Sequence, residues 1–357
     1  MTTTGTDGRP VAGELPRGRP PGGFMPTLDP ERIGESTSRF AQRCEAIPIF
    51  PERLTLELSY ACNLACPACP RHSVTAPPAA GRMRTDFALR LVDEASANGV
   101  TALVPFFRGE SVLHPDLAAI VAHAKRRGIA SVQLASNATL MTPERAALLL
   151  DASLDFVSFS VDTIDPDLYA QRRQNGELEA TLANIGEFLR LRQERGAATK
   201  VQISSVELPR TAVEGAQAGE QARGRQRFID YWLSRGCDVR FYPRHSENGV
   251  FGSLAPEHVA PHDKRLPCLK PVLDMVVLAD GSAAVCNHDW DRGANEPLGD
   301  VAASSIEAVY NGPAYRELRR RHAQGNLAGV LPCGGCDHWQ VWHVSSARAG
   351  ELYVSGK

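Results

Sequence analysis

From Leu54 onward the chain alternates short apolar runs with stretches of helical periodicity about six times over, and few architectures accept that rhythm. Leu54–Leu58, Ala102–Phe107, Ser131–Ala135, Phe156–Val161, Val201–Val206 and Asp238–Tyr242 are strand-like. Between them, Asp86–Asn98, Pro115–Arg127, Leu178–Arg195 and Arg225–Arg235 carry helical spacing. Thr142-Pro143 followed by Glu144 reads as a capped helix start. Such repetition predicts a parallel α/β domain. In that class the chemistry gathers at the carboxyl ends of the strands, so the residues just after each run are the ones that matter.

A second region begins near Pro267. Met275–Cys286 holds two short strands joined by Asp280-Gly281, a strong hairpin signal, and Ser304–Ala323 reads as one or two helices. The 357 residues, 43% of them hydrophobic, suffice for one large core with a small appendage. The expected division is an extended or disordered segment over 1–50, the α/β domain over 51–260, the second region over 261–345 and a tail over 346–357. A net charge of −2 gives no basic field to hold nucleic acid. No apolar run approaches the roughly 20 residues of a membrane helix, and the first residues have no signal-peptide core. The expectation is a cytoplasmic protein with no membrane or nucleic-acid partner.

Nine cysteines are many for such a protein, and where thiols stay reduced, clustered cysteines read as metal ligands or catalysts. Cys62, Cys66 and Cys69 stand directly after the first strand-like run, in SYACNLACPACPRHS. A cubane of four irons usually takes four thiolates. Three on one loop can hold three irons and leave the fourth open to a ligand. The competing reading is zinc with His72 as fourth ligand, although the spacing fits no familiar zinc motif. Cys268, Cys286, Cys333 and Cys336 form a second set, enough for a closed site holding either zinc or a cluster. Cys44 and Cys237 stand apart from both.

The C-x3-C-x2-C spacing after an early strand resembles the radical S-adenosylmethionine (SAM) superfamily. The resemblance extends over roughly Leu54–Trp339. It implies a partial (β/α)6 TIM-like barrel with a small C-terminal α+β domain of the twitch or SPASM kind. Cys62, Cys66 and Cys69 would hold a SAM-binding [4Fe–4S] cluster whose open iron takes the amino and carboxylate groups of SAM. One-electron cleavage then gives methionine and a 5′-deoxyadenosyl radical that takes hydrogen from substrate. Ala68 departs from the bulky residue common before the last cysteine.

Phe107-Arg108-Gly109-Glu110-Ser111 resembles the family's Gly-Gly-Glu-Pro motif, which contacts the SAM amino group; Gly109 and Glu110 match, whereas Arg108 and Ser111 depart. Ser136-Asn137-Ala138-Thr139 resembles Thr-Asn-Gly-Thr, and Ser160-Val161-Asp162 resembles Ser-x-Asp. By this resemblance Gly109, Glu110, Asn137, Ser160 and Asp162 are SAM-site residues. Arg173 stands where relatives often carry an arginine near the SAM carboxylate, or it is a solvated helix residue. The second cysteine set resembles a twitch domain with one auxiliary [4Fe–4S] cluster, for electron transfer or support; a zinc knuckle is the alternative.

Small enzymes of this type often act on sugars and aminocyclitols in antibiotic pathways, by alcohol oxidation or epimerisation. The resemblance therefore implies a polyol or aminoglycoside substrate and an external electron donor of flavodoxin or ferredoxin type. Modification of a ribosomal peptide is the alternative. A non-enzymatic iron–sulfur or zinc scaffold is a third reading. Cys237 is a candidate hydrogen donor to a substrate radical, or a small buried hydrophobe. Arg244, His245 and Glu247, after the sixth strand-like run, are candidates to bind or deprotonate substrate. His288, Asp289, Trp290 and Asp291 follow Cys286 and either line the site or cover the cluster.

Overall fold

A computed structural model describes residues 38, 40–46, 48–74, 81–206, 216–242, 265–290, 296–339 and 353–354. The six expected strands are present: β1 (Arg53–Leu56), β2 (Ala102–Val104), β3 (Ser131–Ser136), β4 (Phe156–Ser160), β5 (Lys200–Val206) and β6 (Asp238–Tyr242). Each pairs in parallel with the next. The connecting helices are α1 (Thr85–Ala97), α2 (Leu117–Arg126), α3 (Pro143–Asp151), α4 (Pro166–Arg172), α5 (Leu178–Glu194) and α6 (Ala216–Leu233).

Periodicity explains the layers. Helix α1 buries Ala88, Leu91, Val92 and Ala95, one stripe at three- and four-residue spacing. The outward-facing residues of the strands meet such stripes: Phe159 of β4 packs edge-on against Phe188 of α5 with ring centroids 5.3 Å apart. Alternate residues turn the other way, and on β4 and β5 these are Ser158, Ser160, Gln202 and Ser204. The lumen of the barrel is thus unusually rich in hydroxyl and amide groups. The capping reading of Thr142 holds: its hydroxyl accepts from Arg145 N, with Pro143 opening α3.

The hairpin of the second region is present as β7 (Asp274–Val277) and β8 (Ala283–Ala284), with Gly281 of the turn at φ 95°. It is not a free-standing unit. Strand β7 lies parallel beside β1, with Arg53 opposite Asp274 and Leu56 opposite Val277. At the other edge β9 (Tyr353–Val354) runs antiparallel to β6. The resulting sheet has the order β8-β7-β1-β2-β3-β4-β5-β6-β9. Among the described residues no pairing closes it into a full barrel.

Helices α7 (Lys270–Leu273), α8 (Ile306–Tyr310) and α9 (Pro313–Ala323) complete the second region. Residues 40–45 are helical rather than extended. Phe40, only 2% exposed, packs there on Leu269, Val272 and Leu273 beside Cys44 and Cys268. So short a helix carries too little periodicity to show in the sequence. Among the described residues no helix is long and apolar enough to cross a membrane.

Candidate active site

The loop carrying Cys62, Cys66 and Cys69 leaves the carboxyl end of β1 and is held from several sides. Glu110 N donates to Ala61 O at 2.8 Å, and Ala65 N donates to Gln174 O at 3.0 Å. A Cβ on Gly109 would sit 2.1 Å from Ser59 O and 2.6 Å from Ala61 O. Only glycine allows the loop after β2 to come this close to the backbone that launches Cys62. Burial pushes the three thiols up, and each of them feels another thiol of the set. The thiolates therefore need a positive partner, and loading releases protons.

The motif residues converge on this loop. Asn137 Nδ2 donates to Asn63 Oδ1 at 3.0 Å and lies 3.8 Å from Cys62 Sγ. Arg173, at the end of α4, has Nη1 4.0 Å from Cys66 Sγ, and its Nε donates to Asp162 Oδ2 at 2.8 Å. Burial works against the Arg173 charge, but the Asp162 carboxylate and Cys66 outweigh it and hold the guanidinium protonated. Asp162 sits in the left-handed region at φ 67°, and its second oxygen accepts from Val206 N at 2.9 Å. That bond fixes the carboxylate in place. Ser160 shares a 3.3 Å hydroxyl contact with Ser204.

Glu110 is 3% exposed, and its two carboxylate oxygens accept from Val112 N at 3.1 Å and Asn137 N at 2.8 Å. Burial raises its pKa, opposed by those bonds and by the Ser136 hydroxyl. Glu110 thus ties the loops after β2 and β3 together from behind. Beside it, Arg108 makes a bidentate pair with Glu57 at 2.5 and 2.9 Å, both side chains fully buried. Arg108 Nη1 also donates to Trp290 O at 3.0 Å, and Glu57 Oε2 accepts from Ala279 N at 3.2 Å. This pair fastens the second region to the root of the cysteine loop. Nothing local to either residue signals the pair, because the partners lie 51 positions apart.

The second cysteine set is brought together. Cys268, Cys286, Cys333 and Cys336 line one cavity of about 330 Å³. Burial first, and then the neighbouring thiols of the set, push Cys286 and Cys333 up; Cys268 is pushed up to about 12. Among the described residues no three His, Cys, Asp or Glu side chains close on one point as a single-ion cage would. A four-iron cluster is larger than one ion and holds its thiolates further apart, and soft thiolates suit it. His72, the alternative fourth ligand of the first set, is exposed. The rest of the lining combines Thr55, Ser158, Ser160, Ser204, Tyr242 and the Asp162–Arg173 pair with a larger apolar surface that includes Phe106, Phe107, Val285 and Trp290. The cavity therefore spans from the edge of the first cysteine loop to the second cysteine set.

Cys237 does not join this cavity. It precedes β6, at the amino end of the strand, whereas Tyr242 at the carboxyl end lines the cavity. Five residues of strand separate them by about 16 Å. The thiol is fully buried in the core and pushed up to about 12 by burial. Arg244, His245, Glu247 and Asp291 lie outside the described residues. His288 and Trp290 line the cavity, while Asp289 turns away from it to accept from Val285 N at 2.9 Å. Sequence reasoning missed Thr55, Ser158, Tyr242, His322 and His338 as lining residues. Inward alternation along the strands could have found the first three.

The sequence profile of the Radical SAM superfamily matches residues 56–203, and that of the SPASM iron–sulfur cluster-binding domain matches residues 268–337. The chain thus carries a radical SAM domain followed by a SPASM domain. The first match covers the cysteine loop and the motifs after β2, β3 and β4; the second spans all four cysteines of the second set. The superfamily and the SPASM domain together imply a SAM-binding [4Fe–4S] cluster, SAM and an auxiliary cluster, and the thiol donors described above fit them.

Among curated relatives, an AdoMet-dependent heme synthase of Methanosarcina barkeri is 35% identical over 136 residues, 38% of this chain and 38% of that protein. A tungsten-containing aldehyde ferredoxin oxidoreductase cofactor-modifying protein of Pyrococcus furiosus is 28% identical over 187 residues, 52% of this chain and 49% of that one. The chain thus spans half or less of the length of these relatives. Among solved structures, BtrN in complex with AdoMet and 2-DOIA aligns with TM-score 0.51 at 16% identity, over 82% of this chain and 94% of that chain. Streptococcus suis SuiB bound to precursor peptide SuiA aligns with TM-score 0.58 at 15% identity, over 80% and 70%. At these identities the likeness is one of fold.

Proposed function

We propose that this chain is a radical SAM enzyme that removes hydrogen from a hydroxyl-bearing carbon of a small polyhydroxylated substrate, a sugar or aminocyclitol, to give an oxidised product. One observation carries the reading: the cavity of about 330 Å³ that is lined by the four-cysteine set is also lined by the Asp162–Arg173 pair and by a group of strand hydroxyls. That space, part of which the auxiliary cluster itself would fill, suits a small substrate. Ser158, Ser204, Thr55 and Tyr242 offer hydroxyls that both donate and accept, as a polyol requires.

When bound, SAM on the three-cysteine cluster would supply hydrogen-atom abstraction and the auxiliary cluster would take the radical's electron, while the hydroxyl proton would pass to a base, for which His245 and Glu247 are the sequence candidates. The chain's own residues position and hold. Arg173, kept charged by Asp162, would face the SAM carboxylate. Asn137 and Ser160 present polar groups at the edge of the cysteine loop. Gly109 and Glu110 set the distance between the loops that form the SAM site, Gly109 by its missing Cβ and Glu110 by its two backbone bonds. The place of Cys237 at the far end of β6 removes the thiol that epimerisation would use, and this favours oxidation of the two endings. The electron donor is a low-potential flavodoxin or ferredoxin type.

The test is product mass. Anaerobic, reduced, cluster-loaded protein with SAM is offered a panel of sugars, cyclitols and aminoglycosides, and separately a precursor peptide. A polyol product two mass units lighter than substrate supports the proposal. A same-mass product with one solvent deuterium points to epimerisation, and turnover of the peptide alone refutes the small-molecule reading.

A further inference from the structure

His322 has no place in the function proposed above, and its surroundings demand a partner. It is 3% exposed, and both ring nitrogens are buried without a hydrogen-bond partner among the described residues. Leaving a buried polar group unsatisfied is costly, so native structures rarely do so without a ligand or water to answer it. The side chain lines the same cavity as the four cysteines of the second set.

Three neighbours fix its position. Its ring meets Phe40 edge-on at 6.4 Å, and Phe40 packs with Leu269 beside Cys268. One turn earlier on α9, Leu318 packs in one cluster with Cys286 and Cys333. Arg265, close enough to affect the ring's charge, donates from Nη2 to Cys333 O at 2.7 Å. His322 is therefore flanked by residues that pack on three of the four thiols. The helix itself is fixed, since Arg319 Nε donates to Pro271 O at 2.8 Å and so ties α9 to α7.

We propose that His322 donates a ring N–H to the sulfur shell of the auxiliary cluster and thereby raises its reduction potential. A cluster gains negative charge on reduction, and a donor aimed at its sulfurs stabilises the reduced form more than the oxidised one. Hydrogen bonds to the sulfurs are among the main determinants of such potentials. The proposal rests on the second set holding a cluster and is independent of which substrate the cavity takes.

The full chain carrying Cys62, Cys66 and Cys69 all replaced by Ala retains only the auxiliary cluster, so its potential can be read alone by redox titration followed by electron paramagnetic resonance. In that background His322→Phe removes the donor and keeps a ring, and His322→Gln keeps a donor. The expected result is a roughly tenfold fall in the reduced-to-oxidised ratio at fixed potential for the Phe variant, equal to about 59 mV for a one-electron couple. The Gln variant should lie near the parent. An unchanged potential in the Phe variant overturns the proposal, as does an equal fall in both variants, which would mark a packing effect. If the Phe variant loses the cluster's iron, retention by Gln supports a polar contact to the cluster, and loss in both overturns it.

Discussion

Replacing Arg108 by Met tests how the two halves of the site are fastened together. Arg108 and Glu57 are both fully buried, with two direct hydrogen bonds between them, and each makes one further bond, to Trp290 O and from Ala279 N. Removing the guanidinium strands a carboxylate in the interior, and breaking a buried pair from one side costs about 3–5 kcal/mol. With an unfolding entropy of about 2.1 cal/mol/K per residue, the chain loses about 0.75 kcal/mol per degree, so the Tm should fall by about 4–7 °C. Glu57→Gln with Arg108→Met removes both charges and keeps an acceptor for Ala279 N. The double variant should therefore recover much of the loss, with a coupling of about 2 kcal/mol or more in the cycle. Thermal unfolding of cluster-loaded protein, followed by the near-ultraviolet signal under anaerobic conditions, reads all four proteins. A Tm within about 1 °C of the parent for Arg108→Met, or losses that simply add, would refute the account of this strut.

Other variants separate positioning from chemistry. Gly109→Ala should cost about 3 kcal/mol through overpacking against the backbone before Cys62, and calorimetric titration should show SAM affinity falling by at least about tenfold; unchanged affinity would deny the close approach its role. Cys237→Ala should lower stability by about 1–2 kcal/mol yet leave product formation intact, because the thiol is core packing remote from the cavity; loss of product with SAM cleavage preserved would restore it as a hydrogen donor. Reconstituted protein should hold about eight irons, and Ala at Cys62, Cys66 and Cys69 together should remove about half; about four irons with one tightly bound zinc in the parent would contradict the auxiliary cluster.

Much of this architecture was legible because its signals are local. Each strand of the barrel is a compact apolar run, and Asp238–Tyr242 coincides with the strand read from sequence. Helix α4 was missed although its start was written in Asp165-Pro166, where Asp165 caps Leu168 N at 3.0 Å; seven residues carry too little periodicity. The parallel pairing of β7 with β1 joins residues more than 200 positions apart, and nothing in either segment encodes its partner. Ala138 teaches a different lesson. It sits at φ 63°, which explains why the family's motif has glycine there, and Asn184 Nδ2 secures the turn by bonds to Ala138 O and Thr139 O.

The same contrast holds within the site. The cysteines were found by spacing, since ligand loops are short. The hydroxyl wall was not, because Thr55, Ser158 and Ser204 meet only when three strands are laid side by side. His322 lay hidden in a run of basic residues on α9 that reads as a solvated helix face, and only tertiary packing buries it. The remoteness of Cys237 was implicit in its place before β6, because parallel strands present their carboxyl ends to the site.

The central claim is tested most directly by the fate of SAM. Anaerobically reconstituted protein, reduced by dithionite or a flavodoxin system and incubated with SAM, should release 5′-deoxyadenosine and methionine in equal amounts, faster when the polyol substrate is present. Cys66→Ala, folded and still holding its auxiliary cluster, should release none. Absence of 5′-deoxyadenosine from parent protein with both clusters loaded would contradict the account.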